Sequence, residues 1–405
     1  MPMPSNPGTP RLLRGINDRA ALTLMLEHGP LSRSRLGELT GLSKPTASQL
    51  LSRLETAGLV RRSGSSVGRP GPKAQLYEIN AEAAYVGGLD VTPARILAAV
   101  ADLAGRTIGT FELRTPRRAG PDAVAHVLEA LDGARADAGL EHAQLARLVI
   151  GTPGAFDPRT RRLRYARHLP GWHDADLLER LAEAVGTPLE VDNDVNLAAV
   201  AELHAGCAQG SPNFVLLWAE EGLGAAIVID GVLHRGATGG AGEVGFLPLA
   251  ETPLVRDVGR TNAGGFQELA GGKQVLELAR RLGIRAGTPE AAVTKALATP
   301  GVGDEFLDTL AHRVALGLAA IVSVLDPELV ILTGTVLLAG GDRLLEKLRD
   351  EFAALAVARP TIALSGVPEQ PVLHGALHAA LVRTRDDVFD TIQSTQAVSS
   401  TSGAP

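Results

Sequence analysis

Residues 31–62 read LSRSRLGELTGLSKPTASQLLSRLETAGLVRR, two amphipathic helical patterns on either side of a short turn at Gly41. The second pattern opens with Ser43, Lys44 and Pro45. A serine there can cap the helix, and a first-turn proline gives up only an N–H that has no helical partner. Leu50, Leu51, Leu54 and Leu59 recur at helical spacing and can bury one stripe, which leaves Lys44, Thr46, Ser48, Gln49 and Arg53 on the other faces. Short hydroxyls and a glutamine at a helix start can reach phosphates and base edges in a major groove, and Lys and Arg supply charge. A helix-turn-helix is expected, with Ser43, Lys44, Thr46, Ser48, Gln49 and Arg53 as candidate DNA contacts. The same pair of helices could also be part of an ordinary bundle with a solvated face.

The next segment favours DNA. After Gly58 the pattern switches to period two at residues 59–62, passes a Gly/Ser/Pro run and resumes at residues 75–79. Two strands joined by a basic loop make a wing, and Gly68-Arg69-Pro70-Gly71-Pro72-Lys73 is the kind of cationic segment that can lay Arg69 into a minor groove. A stiff linker is the plainer alternative. Upstream, residues 11–28 form the expected first helix, with Leu13, Ile16, Ala20, Leu24 and Leu26 available for its core. Residues 1–80 hold eleven basic and five acidic side chains, a net of +6, while the rest of the chain carries −12 to give −6 overall. A basic head on an acidic body fits a polyanion partner for the head alone.

At 405 residues the chain is long enough for two or three domains. Residues 1–10, broken by Pro2, Pro4, Pro7 and Pro10, read as a disordered tail, and the Ser/Thr-rich stretch 386–405 as another. Residues 11–80 read as the DNA-binding domain and 81–385 as the body. The longest apolar run, residues 314–325, falls short of the roughly 20 residues a bilayer span needs, so no membrane partner and a cytoplasmic location are expected. Cys207 is the only cysteine, which excludes an intrachain disulfide and a cysteine-rich metal site.

The body alternates strands and helices from about residue 84, an α/β pattern. Within it lie Gly151-Thr152-Pro153-Gly154, His168-Leu169-Pro170-Gly171-Trp172, Asp192-Asn193-Asp194-Val195-Asn196, Gly242-Glu243-Val244-Gly245 and Asp326-Pro327-Glu328 running to Gly334. In this order the motifs resemble the ROK family of repressors, open reading frames and sugar kinases. With the winged head in front, the resemblance is to its repressor branch and covers residues 11–385. It implies an actin-like, two-lobed α/β fold with a sugar in the cleft, and a homodimer or higher oligomer. Gly154, His168, Asn193, Asp194, Glu243 and Gln267 fall at its ligand positions, and Asp194 at its catalytic base.

A sugar kinase needs backbone amides around the ATP phosphates. Where family kinases have Asp-x-Gly-Gly-Thr, this chain has Asp90-Val91-Thr92-Pro93-Ala94, with both glycines gone and a proline lacking its donor. Where they have Gly-Thr-Gly-x-Gly, it has Glu220-Glu221-Gly222-Leu223-Gly224, and the last cluster is reduced to Thr333-Gly334-Thr335. Two carboxylates facing phosphates in a partly desolvated cleft cost on the order of several kcal/mol. The family's zinc-ligating His is Phe246 here and no cysteine lies between residues 252 and 272, so no metal and no cofactor are expected. His168 stands for an Asn and Gln267 for a Glu in the family pattern. Asp194 can serve as a ligand contact, a residual base or a helix cap.

The leading expectation is therefore a non-enzymatic, sugar-responsive transcriptional repressor acting as a dimer on a palindromic double-stranded operator. Its alternatives are an active sugar kinase with an appended head, and a DNA-binding protein with a vestigial cleft.

Overall fold

The computed structural model describes residues 10–65, 74–115, 122–140, 144–157, 159–160, 162–164, 169, 171–172, 174, 176–250, 252, 256 and 264–401. Two serines set the geometry of the head. Ser32 ends strand β1 (Leu31–Ser32) and caps α2 (Arg33–Thr40) through the N–H of Arg35; Gly41, at φ 70°, closes that helix. Ser43 caps α3 (Lys44–Thr56). The wing is β2 (Val60–Ser65) against β3 (Gln75–Ile79), antiparallel, with β1 completing the order β1-β3-β2. Leu36, Leu50, Leu51 and Leu54 are fully buried against Tyr77 and Ile79 of the wing.

Helix α1 (Pro10–His28) departs from the expected face. Leu13, Ile16 and Ala20 are exposed, Leu24 and Leu26 pack half-buried on the core as expected, and the helix buries Ala21, Leu22 and Met25 most deeply. That row, spaced by three and four, also contains Asp18, which is buried and held by Arg53 of α3. Pro10, assigned to the tail, is the first residue of α1, a position where proline fits. Residues 1–9 lie outside the described set.

The body consists of two lobes with one strand order. The first sheet is β10-β7-β4-β5-β6, from β4 (Tyr85–Val91), β5 (Arg95–Asp102), β6 (Thr107–Arg114), β7 (Arg147–Thr152) and β10 (Leu189–Asn193). The second is β13-β12-β11-β14-β15, from β11 (Phe214–Ala219), β12 (Leu223–Ile229), β13 (Val232–Leu233), β14 (Leu329–Thr333) and β15 (Thr361–Leu364). In each, an antiparallel pair of hairpins is followed by two parallel strands. A small ribbon, β8 (Ala155–Asp157) with β9 (Arg162–Arg164), follows β7.

Helices fill three layers around the sheets. Helices α4 (Ala123–Asp137) and α5 (Leu177–Val185) pack on the outer face of the first sheet through Val127, Leu131 and Leu181. Between the sheets, α6 (Asp194–Ala205) turns Leu197 to the first and Val195 and Ala198 to the second. Beyond the second sheet lie α7 (Gln267–Ala270), α8 (Gly272–Arg281), α9 (Pro289–Leu297), α10 (Val302–Leu325) and α11 (Thr335–Leu355). Helix α10 is long and apolar enough to cross a membrane by length and composition, but Phe306, Leu310, Val314 and Leu318 form the core of this lobe.

The last helix, α12 (Pro371–Thr401), corrects the expected disordered tail at 386–405, since it runs on to residue 401. Phe389 inserts into the head's core, Asp386 pairs with Arg19 of α1, and Asp387 pairs with Arg147 at 2.6 Å. These anchors lie far away in sequence, so local composition gives no sign of them. Helix α12 packs along α6, where the rings of His204 and His378 stack with centroids 3.8 Å apart. Buried Glu202 of α6 accepts N–H bonds from Cys207 and from Val367, in the loop that leads into α12.

Candidate functional site

On α3, Lys44, Thr46 and Gln49 are exposed, while Ala47, Leu50, Leu51 and Leu54 face inward. Ser43 is occupied as the cap, accepting from the N–H of Thr46 and bonding to its hydroxyl at 2.8 Å. Ser48 is half-buried, with Arg33 Nη1 3.4 Å from its Oγ.

Arg53 is tied to the interior of the head. Its Nη2 donates to Asp18 Oδ1 at 2.6 Å, and Asp18 is 4% exposed. Burial pushes the Asp18 carboxyl above its usual range against the pull of Arg53, so the pair is an internal one in which each group depends on the other. Arg61 and Arg62 of the wing are paired with Glu78 and Glu55. Arg69 and its basic loop fall outside the described residues, as does His168.

A cleft of about 1170 Å³ opens between the lobes, lined from both sheets. On the first-lobe side, β10 runs into α6 at Asn193, whose Oδ1 accepts the N–H groups of Val195 and Asn196 while its Nδ2 donates to the carbonyl of Gly154 at 3.0 Å. Asn193 thus fixes the helix start and the Gly154 turn from the wall of the cleft. Asp192 behaves likewise, bridging Asn196 Nδ2 and Arg235. The next residue, Asp194, accepts only the N–H of Val195 among the described residues and keeps its other oxygen for the cleft.

From the second lobe comes Glu243. Gly242, at φ 93°, makes the close approach it needs: a Cβ there would lie 1.9 Å from the carbonyl of Ala225, whose N–H bonds to Gly242 at 2.8 Å. The Glu243 carboxylate makes no hydrogen bond or ion pair among the described residues, and burial pushes it up to about 7. Asp194 is also pushed up to about 7, by burial first and then by the charges of Asp90, Glu220 and Glu243. Asp90 is raised by burial despite Arg95, whose Nη2 lies 3.3 Å from it.

Glu220 occupies a place that its sequence does not announce. It lies in the β11–β12 turn, where burial raises its carboxyl against the opposing pull of Trp218 and of Thr335, the first residue of α11. Gly334 permits this, at φ 85° and so close to Ala219 that a Cβ would sit 2.4 Å from its carbonyl oxygen. A helix start of this kind is a ready anion site. Here Glu220 brings a carboxylate close to it.

Gln267 also lines the cleft. Its Oε1 accepts the N–H of Leu223 at 2.9 Å and its Nε2 donates to the carbonyl of Glu221 at 3.0 Å. Both ends thus help to hold the β11–β12 turn. Sequence reasoning missed Arg95, His126, Trp218 and Glu290 on the cleft wall. The only signal for Arg95 was its place directly after the altered first loop.

A family model described as the ROK family matches residues 86–376, and one described as the MarR family matches residues 15–69. The putative xylose repressor of Caldicellulosiruptor sp. (strain Rt8B.4) is 26% identical over 360 residues, covering 84% of this chain and 88% of its own. A ROK family glucokinase from Streptomyces griseus, solved in complex with glucose and AMPPNP, is 26% identical at a TM-score of 0.58, covering 73% of this chain and 99% of its own. A ROK family transcriptional regulator, homologous to the E. coli MLC protein, shares the fold over 96% of this chain and 99% of its own, at a TM-score of 0.74 and 18% identity.

Proposed function

The chain belongs to the ROK family, and from that premise we propose that it is a sugar-responsive transcriptional repressor whose cleft binds an effector without transferring phosphate. One observation carries this reading: α12 belongs to both halves of the molecule. Its first residues, Pro371 and Val372, line the cleft, and its Phe389 is buried in the core of the winged head. A ligand that favours one pose of the cleft over another therefore biases the head through a continuous helix, as differential affinity for two states requires.

The α3 edge of Lys44, Thr46 and Gln49 serves as the reading surface, and a homodimer sets two such helices on a palindromic operator. Phosphoryl transfer is disfavoured because Glu220 puts a carboxylate beside the α11 start, where it would repel a phosphate. Asp194 alone favours the kinase alternative, since a carboxylate near neutrality suits a general base.

Fluorescence anisotropy on the DNA upstream of its own gene tests the first reading. Binding should weaken steeply between roughly 50 and 200 mM salt. Lys44→Ala should lower affinity on all sequences and cut the salt slope by about one, whereas Gln49→Ala should cost about 1–3 kcal/mol on the operator only. A coupled assay for ADP release over a panel of hexoses should register no turnover. Turnover without duplex binding overturns the reading.

A further inference from the structure

The arginines of the head are not alike. Arg19, Arg35, Arg53, Arg61 and Arg62 each pair with a carboxylate, respectively Asp386, Glu38, Asp18, Glu78 and Glu55. Arg33, the first residue of α2, is exposed and stands in the same Ser-Arg-Ser-Arg run as Arg35, yet it makes no ion pair among the described residues. Its guanidinium is held all the same: Nη1 donates to Ser48 Oγ at 3.4 Å and Nη2 to the hydroxyl of Tyr77 at 3.3 Å. Ser48 belongs to α3, and Tyr77 is buried in the head's core on β3, so the group is set in the angle between the reading helix and the wing. Both partners are neutral oxygens, which leaves the whole charge and three of the five N–H donors available.

One flank of α3 gathers the unpaired cations. Lys44 and Ser48 are four residues apart and share a face, so Lys44, which also makes no ion pair among the described residues, and the Arg33 guanidinium follow one another along it. Glu55, seven residues on from Ser48 and on the same face, gives both of its oxygens to Arg62. The opposite flank carries Arg53, which turns inward to Asp18. Gln49 and Ser52 lie exposed on the edge between the two flanks. A duplex whose bases meet that edge brings a phosphate strand to the Lys44 side. There a planar fork matches phosphate oxygens, and one already held in place loses less side-chain freedom on binding.

We propose that Arg33 grips a DNA backbone phosphate beside α3, with Ser48 and Tyr77 as the residues that position it. This rests on the reading of the head as the DNA-binding module. The full chain should be followed by fluorescence anisotropy on the duplex upstream of its own gene and on a scrambled duplex of equal length, between roughly 50 and 200 mM salt. Arg33→Ala should weaken both duplexes by a similar factor, about tenfold, and lower the slope of log affinity against log salt by about one. Arg61→Ala removes the same charge from a paired arginine of the same head and should leave that slope unchanged. Tyr77→Phe keeps the ring but removes the oxygen that holds Nη2, and should cost about threefold in affinity with the slope intact. Circular dichroism checks that each variant is folded. A wild-type slope in Arg33→Ala, or an equal fall in Arg61→Ala, overturns the phosphate contact and leaves the head a DNA-binding domain. Unchanged affinity in Tyr77→Phe overturns the positioning role. A wild-type chain that binds neither duplex overturns the DNA reading and this inference together.

Discussion

The two lobes share a strand order but answer the same physical problem in different ways. Each delivers a helix start to the cleft, α6 after β10 and α11 after β14. The α6 start is satisfied locally, by Asn193 accepting from residues two and three further on. The α11 start follows Gly334 without a side-chain cap, and Glu220, from the hairpin of a neighbouring strand, stands beside it. One lobe therefore presents an uncommitted carboxylate, Asp194, to the cleft, while the other sets a carboxylate next to its helix start. One strand order thus furnishes its two polar helix ends differently, without any change in its strands.

The contrast is tested most severely by denying the β11–β12 turn its contact with α11. Gly334→Val puts a branched side chain at φ 85° and into the carbonyl of Ala219. Urea denaturation should show a loss of about 3 kcal/mol or more, in line with a strained, overpacked backbone position. A wild-type midpoint would mean that the turn and the helix start are not coupled as described.

A gentler substitution isolates the carboxylate. Glu220→Ala should cost about 0.3–1 kcal/mol, the usual range for losing a negative charge beside a helix start. The vacated site should then take an external anion, so that added sulfate restores the melting temperature of the variant more than it raises that of the wild type. An equal response in both would place the carboxylate elsewhere.

These two probes also mark where the sequence was legible. Ser43, Pro45 and the leucine stripe of α3 act within one or two helical turns, so spacing alone located that helix and its exposed edge. The strands 85–91 and 95–102 were readable because their apolar runs are continuous. The tie of Arg53 to the interior was not legible because its position beside Leu50 and Leu54 is ambiguous on a helical wheel, and the deciding partner, Asp18, lies in another helix. Gln267, Glu220 and the end of α12 fail for the same reason: each is fixed by a backbone or charge partner brought near only by the fold. Asn193 was found as a candidate, and its second task, capping α6, was not read, since a residue type that binds sugars also caps helices.

The smallest effect expected is a pH dependence, and it tests whether the carboxylate left free in the first lobe differs from the one tied down in the second. The carboxyl of Asp194 is raised from an ordinary 3.8 to about 7. Between those values the native chain holds a proton that the unfolded chain has released, so this residue's contribution to stability falls as pH rises and levels off above about 7. Asp194→Asn removes the titration, so the variant should gain melting temperature on the wild type from about pH 4 upward, with the largest gap above about pH 7. The slope should shrink without vanishing, because Glu243 is raised to about 7 by the same burial. Parallel melting curves at every pH would mean that Asp194 is solvated like a surface acid, and the contrast between the lobes would then rest on Glu220 alone.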